Sequence, residues 1–154
     1  MKKGSRISFI VITCAAFGLA AAVIVFFVYT LHLRTIYRET AIEVNDAILA
    51  ANDITLSCGS DTFEIAPAAA DYYNRFLLHG KTVVYSRKEV PETAQTIIVN
   101  ISGSTLSFTG IDDGSAIAVK WKTPQDEKHF IVRSQITYMQ LKAYFDNYKR
   151  KAKG

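Results

Sequence analysis

The chain has 154 residues, 49% of them hydrophobic and 21% charged, with a formal net charge of +4. Nine Phe, eight Tyr and one Trp exclude a disordered chain. The length allows one ordinary domain, and two cysteines cannot form a disulfide scaffold.

The apolar surplus is local. From Ile7 to Leu33 no residue carries a formal charge, and 22 of these 27 residues are apolar, the exceptions being Ser8, Thr13, Gly18, Thr30 and His32. Residues 34–154 are 44% apolar, 53 in 121, slightly below the usual globular range. As a helix, residues 7–31 would extend roughly 37 Å at about 1.5 Å per residue, enough to cross a hydrocarbon core of about 30 Å with some tilt. Phe26, Phe27 and Tyr29 stand near its far end, where an aromatic belt would lie. A single transmembrane helix is the expectation.

Cleavage of this segment as a signal peptide would use Ala20-Ala21-Ala22, but Val23–Val28 continues apolar directly after it. Acylation at Cys14 would require a better lipoprotein site than Thr13 before the cysteine. Lys2, Lys3 and Arg6 precede the span, while Arg34 and Arg38 follow it with Glu39, Glu43 and Asp46. The balance of Lys and Arg favours residues 1–6 in the cytoplasm and an exported domain at a cell membrane. Within the span, Cys14, Gly18 and Ala22 recur at intervals of four, a small-residue stripe that would let another helix approach.

Beyond the span, Tyr37, Ala41, Val44, Ile48 and Ala51 recur at steps of four and three, predicting a juxtamembrane helix over residues 32–53. The stripe can pack on the chain's own domain or on a second copy, which makes Tyr37, Val44 and Ile48 candidate helix-packing residues. Residues 54–154 then form an extracytoplasmic domain with a basic tail. Ile54, Leu56 and Cys58 alternate with polar residues, and Gly59-Ser60-Asp61 turns the chain into a second strand. Pro67 opens a helix with an aromatic face, Tyr72, Tyr73, Phe76 and Leu77, which ends at Gly80.

A strand is expected over residues 81–88. Four more follow from the alternations Ile97/Val99/Ile101, Leu106/Phe108, Ile117/Val119/Trp121 and Phe130/Val132. Gly103-Ser104 is the expected hairpin loop between the first two, and Asp112-Asp113-Gly114 the next turn. Ser134 would cap a C-terminal helix with the stripe Tyr138, Leu141, Phe145 and Tyr148. The predicted fold is α+β: one transmembrane helix, then an antiparallel meander packed by helices on one face.

No motif carries chemistry. His79-Gly80-Lys81-Thr82 imitates the end of a phosphate loop, but Arg75 occupies the position of the required upstream glycine, and the segment leaves a helix instead of opening one. His32, His79 and His129 lack metal-ligand spacing. Asp112-Asp113-Gly114 suits a hairpin, not a calcium loop. No catalytic, cofactor or metal residue is therefore assigned. Scattered groups such as Cys58, His79 and His129 would be needed for an enzyme.

The basic balance lies at the ends. Residues 30–141 hold ten Lys or Arg and thirteen Asp or Glu, whereas residues 142–154 carry Lys142, Lys149, Arg150, Lys151 and Lys153 against Asp146. A nucleic-acid protein would put that charge on the domain. Lys149, Arg150, Lys151 and Lys153 are instead candidates for contact with an anionic surface such as lipid head groups. A long helix leading into an antiparallel sheet resembles the type IV pilin layout in outline. The pilin processing site, a glycine followed by an aromatic residue and a downstream glutamate, does not enter the apolar run, so the resemblance is architectural.

These features predict a non-catalytic, single-pass membrane protein with an extracytoplasmic binding or accessory domain of an envelope complex. Its expected partners are the lipid bilayer and a membrane or envelope protein. The alternatives are a membrane-tethered enzyme and a pilin-like filament or homo-oligomer subunit.

Overall fold

The structure is a computed structural model that describes residues 3–85 and 90–153. The chain divides into two units, residues 1–35 and residues 36–154. One helix, α1 (Lys3–Ala50), contributes to both. In the first unit α1 is long and apolar enough to cross a membrane: an 18-residue window reaches a mean hydropathy of 2.7, and none of that window is buried. The Thr30 hydroxyl donates to the Phe26 carbonyl at 2.8 Å, so this polar group is satisfied within the helix itself.

The second unit is an α+β domain. After α1 come β1 (Ile54–Cys58), β2 (Asp61–Glu64), α2 (Pro67–Leu78) and β3 (Gly80–Tyr85). Next are β4 (Ile97–Ile101), β5 (Ser104–Ile111), β6 (Ala116–Lys122), β7 (Glu127–Ser134) and α3 (Tyr138–Lys153). The seven strands form a single sheet in the order β2-β1-β4-β5-β6-β7-β3, antiparallel throughout. The meander β4–β7 is its centre, as the alternation predicts. The β1–β2 hairpin extends one edge and β3 the other. The rest of the strand expected over residues 81–88 lies outside the described residues.

Alternation sends one set of side chains inward. Leu56, Val99, Leu106 and Trp121 stand in one cross-strand row; Cys58, Ile97, Phe108, Val119 and Phe130 stand in the next. The three helices cover this face. Tyr37 of α1 meets Phe130 edge to face, Tyr73 and Phe76 of α2 pack on Phe108, and Leu141 and Phe145 of α3 are buried beside them. Phe145 also touches Phe63, which ties α3 to β2. Burying a large apolar side chain contributes about 1.5–3 kcal/mol, so this layer supplies most of the folding drive.

Two local details differ from the sequence expectation. The β4–β5 loop is Ser102-Gly103, one residue earlier than predicted, because both residues take positive φ (45° and 89°) in a primed hairpin turn. The cap of α3 is Thr137, not Ser134. The Gln140 side chain accepts from the Thr137 N–H at 2.9 Å, and the Gln140 N–H points back to the Thr137 hydroxyl at 3.4 Å, a reciprocal capping box. Ser134 is occupied elsewhere: its hydroxyl donates to the His79 carbonyl and accepts from the Ile136 N–H.

Candidate functional site

The predicted helix-packing residues separate by unit. Tyr37, Val44 and Ile48 are buried in the domain's own core, with Val44 fully enclosed. Cys14, Gly18 and Ala22 are exposed on α1, and nothing lies within 4 Å of where a Gly18 side chain would begin. In the C-terminal tail, Lys149 donates to the Asp61 carboxylate, which raises its pKa. Arg150 and Lys151 are exposed, and the Lys153 side chain lies outside the described residues.

The scattered thiol and imidazoles are not brought together. Cys58 is buried on the inner face of β1, where its Sγ donates to the Gln95 carbonyl at 3.5 Å, and burial pushes its thiol pKa up. His129 lies on the outer face of β7, four strand steps away, or about 19 Å at about 4.8 Å per step. His79 follows α2 and precedes the far edge strand β3. Distance and orientation prevent a thiol–imidazole pair, and the buried Cys58 behaves as a small core residue.

The outer face holds a cluster that the alternation did not disclose. Ser107, Lys120 and His129 are direct neighbours in one row across β5, β6 and β7. Glu92 takes the Lys120 ammonium at 2.7 Å, and Glu127 holds His129 Nε2 at 2.7 Å. Thr96 and Thr109 hydrogen-bond through their hydroxyls at 2.9 Å, drawing residues 92–96 onto the sheet. Ser107, Thr109 and Ala118 are therefore buried on the side that alternation makes wet. Val90, Ser107, Thr109, Lys120 and His129 line a cavity of about 10 Å³, room for roughly one water.

Nearby, at the end of β5 and the start of α3, lies a wider cleft of about 290 Å³ lined by Thr93, Gln95, Asp113, Tyr138 and Met139. It falls just under the range of about 300–1,000 Å³ typical of ligand sites. Tyr138 closes its floor by donating to the Gln95 carbonyl, and burial pushes the Tyr138 phenol up to about 12. Gly110 makes this packing fit: a Cβ there would stand 2.8 Å from the Tyr138 ring. Among the described residues, no cluster of three His, Cys, Asp or Glu side chains could hold a metal.

The outer cluster can clasp the 92–96 segment against the sheet. It does not present an open nucleophile, because Ser107 is only 2% exposed. No protein-family model, no curated protein and no solved structure matches this chain.

Proposed function

We propose that the chain is a single-pass membrane protein whose domain lies outside the cytoplasm and acts, without catalysis, as a binding or accessory subunit of an envelope complex. The observation that carries this reading is α1, which holds an apolar, unburied 18-residue window and is also built into the core of a packed domain by Tyr37, Val44 and Ile48. A cleaved leader has no reason to continue into a domain core. Lys2, Lys3 and Arg6 before the span support the cytoplasmic amino terminus. The tight outer cavity and the modest cleft suit recognition at a surface better than enclosure of a small substrate.

Two contact sets belong to this proposal. Cys14, Gly18 and Ala22 offer a close approach to a partner helix in the bilayer. Arg150 and Lys151, with Lys149 and Lys153, offer cations to an anionic surface. The test is affinity capture of the full chain from detergent-solubilised membranes, followed by mass spectrometry. A stoichiometric membrane or envelope protein is expected. Its absence, together with recovery of the chain from the soluble fraction, overturns the proposal.

A membrane-tethered enzyme is the second reading, favoured by the row Ser107, Lys120 and His129 with Glu127 orienting the imidazole. Lys120→Ala and His129→Ala separate the two. A binding domain keeps its partner and phenotype in both variants, whereas an enzyme loses its phenotype while remaining folded.

A further inference from the structure

Within the domain of residues 36–154, α1 runs alongside β7 in the opposite sense. Its Tyr37 meets Phe130 and reaches Gly80, the residue that pairs with Ser134 at the end of β7. Its Glu43 meets Lys128, near the start of β7. Six residues of helix rise about 9 Å, close to the length of three strand residues, so the two elements keep step. The sheet therefore has an end where α1 enters, formed by Gly80, Ser134, Ala116 and Ile111. The β6–β7 loop lies at the opposite end.

Two large apolar side chains stand exposed at the entry end, Leu78 at 57% and Met139 at 67%. Leu78 is the last residue of α2, two before Gly80. Met139 lies in the first turn of α3, its Cγ 3.9 Å from where a Gly114 side chain would begin. They are about three strand steps apart across the sheet end, or about 14 Å. The cleft lined by Gln95, Asp113 and Tyr138 opens at the same end. Charge is balanced here: Lys81 and Arg133 are exposed with Asp112 and Asp113, and Arg133 approaches Asp112 at 3.5 Å.

The length of chain before Tyr37 sets what this end can meet. The apolar span of residues 7–31 stops six residues earlier, about 9 Å of helix. The polar layer of a bilayer is about 5–8 Å thick on each side of the hydrocarbon core. No linker long enough to carry the domain clear of that layer intervenes.

We infer that the entry end of the domain docks on the interfacial layer of the bilayer, with Leu78 and Met139 entering it. The inference rests on the anchored reading and adds a contact surface of different chemistry from the basic tail. Because this end is close to neutral, the contact does not need anionic lipid. The tether holds the domain at high effective concentration beside the layer, so two side chains suffice. The β6–β7 loop is then presented away from the membrane.

The test places a nitrobenzoxadiazole label singly at Leu78→Cys, Met139→Cys or Gln125→Cys, the last in the β6–β7 loop. The full chain, carrying Cys14→Ser and Cys58→Ala, is reconstituted in phosphatidylcholine vesicles with a nitroxide quencher at a shallow acyl position. Quenching at the first two positions should exceed that at the third about threefold or more, with no requirement for anionic lipid. Leu78→Ser in the chain labelled at Met139→Cys should lower the quenching about twofold, which a label inserting by itself would not show.

Equal quenching at all three positions, with the chain still retained in alkali-washed vesicles, overturns the docking and leaves the anchored reading intact. Quenching that appears only with anionic lipid overturns the apolar contact. Release of the chain by the alkaline wash overturns the anchored reading and the docking with it.

Discussion

The Lys128 ammonium on β7 meets the Glu43 carboxylate on α1 at 2.8 Å, joining residues 85 apart in sequence. Lys128 stands in the same inward row as Trp121, so the pair closes the open end of the core where the sheet meets the helix. Burial alone would raise the Glu43 pKa, but hydrogen bonding and attraction to Lys128 outweigh it and hold the carboxyl below its usual value. The hydrogen bond to Glu43 raises the Lys128 pKa in turn.

The pair therefore stabilises the domain between its two titrations. Glu43 has a depressed folded pKa, so its contribution is present above the ordinary Glu range and is lost as pH falls through the folded value. Lys128 contributes below the ordinary Lys range, and its share is lost only as pH rises beyond it. Both groups are partly exposed, so solvent screening limits Glu43→Gln to a loss of about 0.5–1 kcal/mol at neutral pH. Denaturant titrations at pH 7 and pH 3 should show that difference shrinking in acid.

Tyr37 has a buried hydroxyl with no hydrogen-bond partner among the described residues, and burial pushes its pKa far up. Tyr37→Phe removes the unsatisfied group and keeps the ring packed on Phe130, so thermal unfolding should show a gain of about 1 kcal/mol. Gly80→Ala should act in the opposite direction. Its Cβ would stand 2.9 Å from the Tyr37 hydroxyl and 3.1 Å from a Val132 methyl, and overpacking of this kind costs about 1–3 kcal/mol. In the Tyr37→Phe background part of that loss should be recovered.

Thr137→Ala removes the cap of α3. A loss of about 1 kcal/mol is expected in equilibrium unfolding, while Ser134→Ala should leave the helix start in place. Circular dichroism with denaturant distinguishes them.

Cys58 is buried with a raised pKa, so the folded domain should resist thiol alkylation at pH 8. In a Cys14→Ser chain, iodoacetamide should label Cys58 rapidly only after denaturant is added. Rapid labelling of the native chain would contradict its place in the core.

Most of the architecture was legible in the sequence because each element declares a local period. The apolar run and the three-and-four stripe of residues 37–51 announce α1, and alternation marks the meander. The pairing of β3 with β7 was not legible, since it joins strands about 50 residues apart and no local rule selects the edge. The α3 cap was misplaced because Ser134 satisfies the residue preference while Thr137 also has Gln140 three residues on. The outer cluster stayed hidden for a related reason. Alternation assigns Ser107 and Lys120 to a wet face, and it takes a segment distant in sequence, with Glu92 and Thr96, to cover it.

The stripe at Tyr37, Val44 and Ile48 illustrates the same limit. Period and hydrophobicity locate a face to be buried but do not say whether the cover comes from the same chain. Here it does.

The anchored, exported reading is tested most directly by labelling Gln125→Cys, in the Cys14→Ser/Cys58→Ala background, with a membrane-impermeant maleimide on intact cells. Gln125 is exposed in the β6–β7 loop. The account predicts labelling without permeabilisation, on a chain that stays in the membrane pellet after an alkaline wash. Labelling that appears only after permeabilisation, or a chain released by the wash, would contradict it.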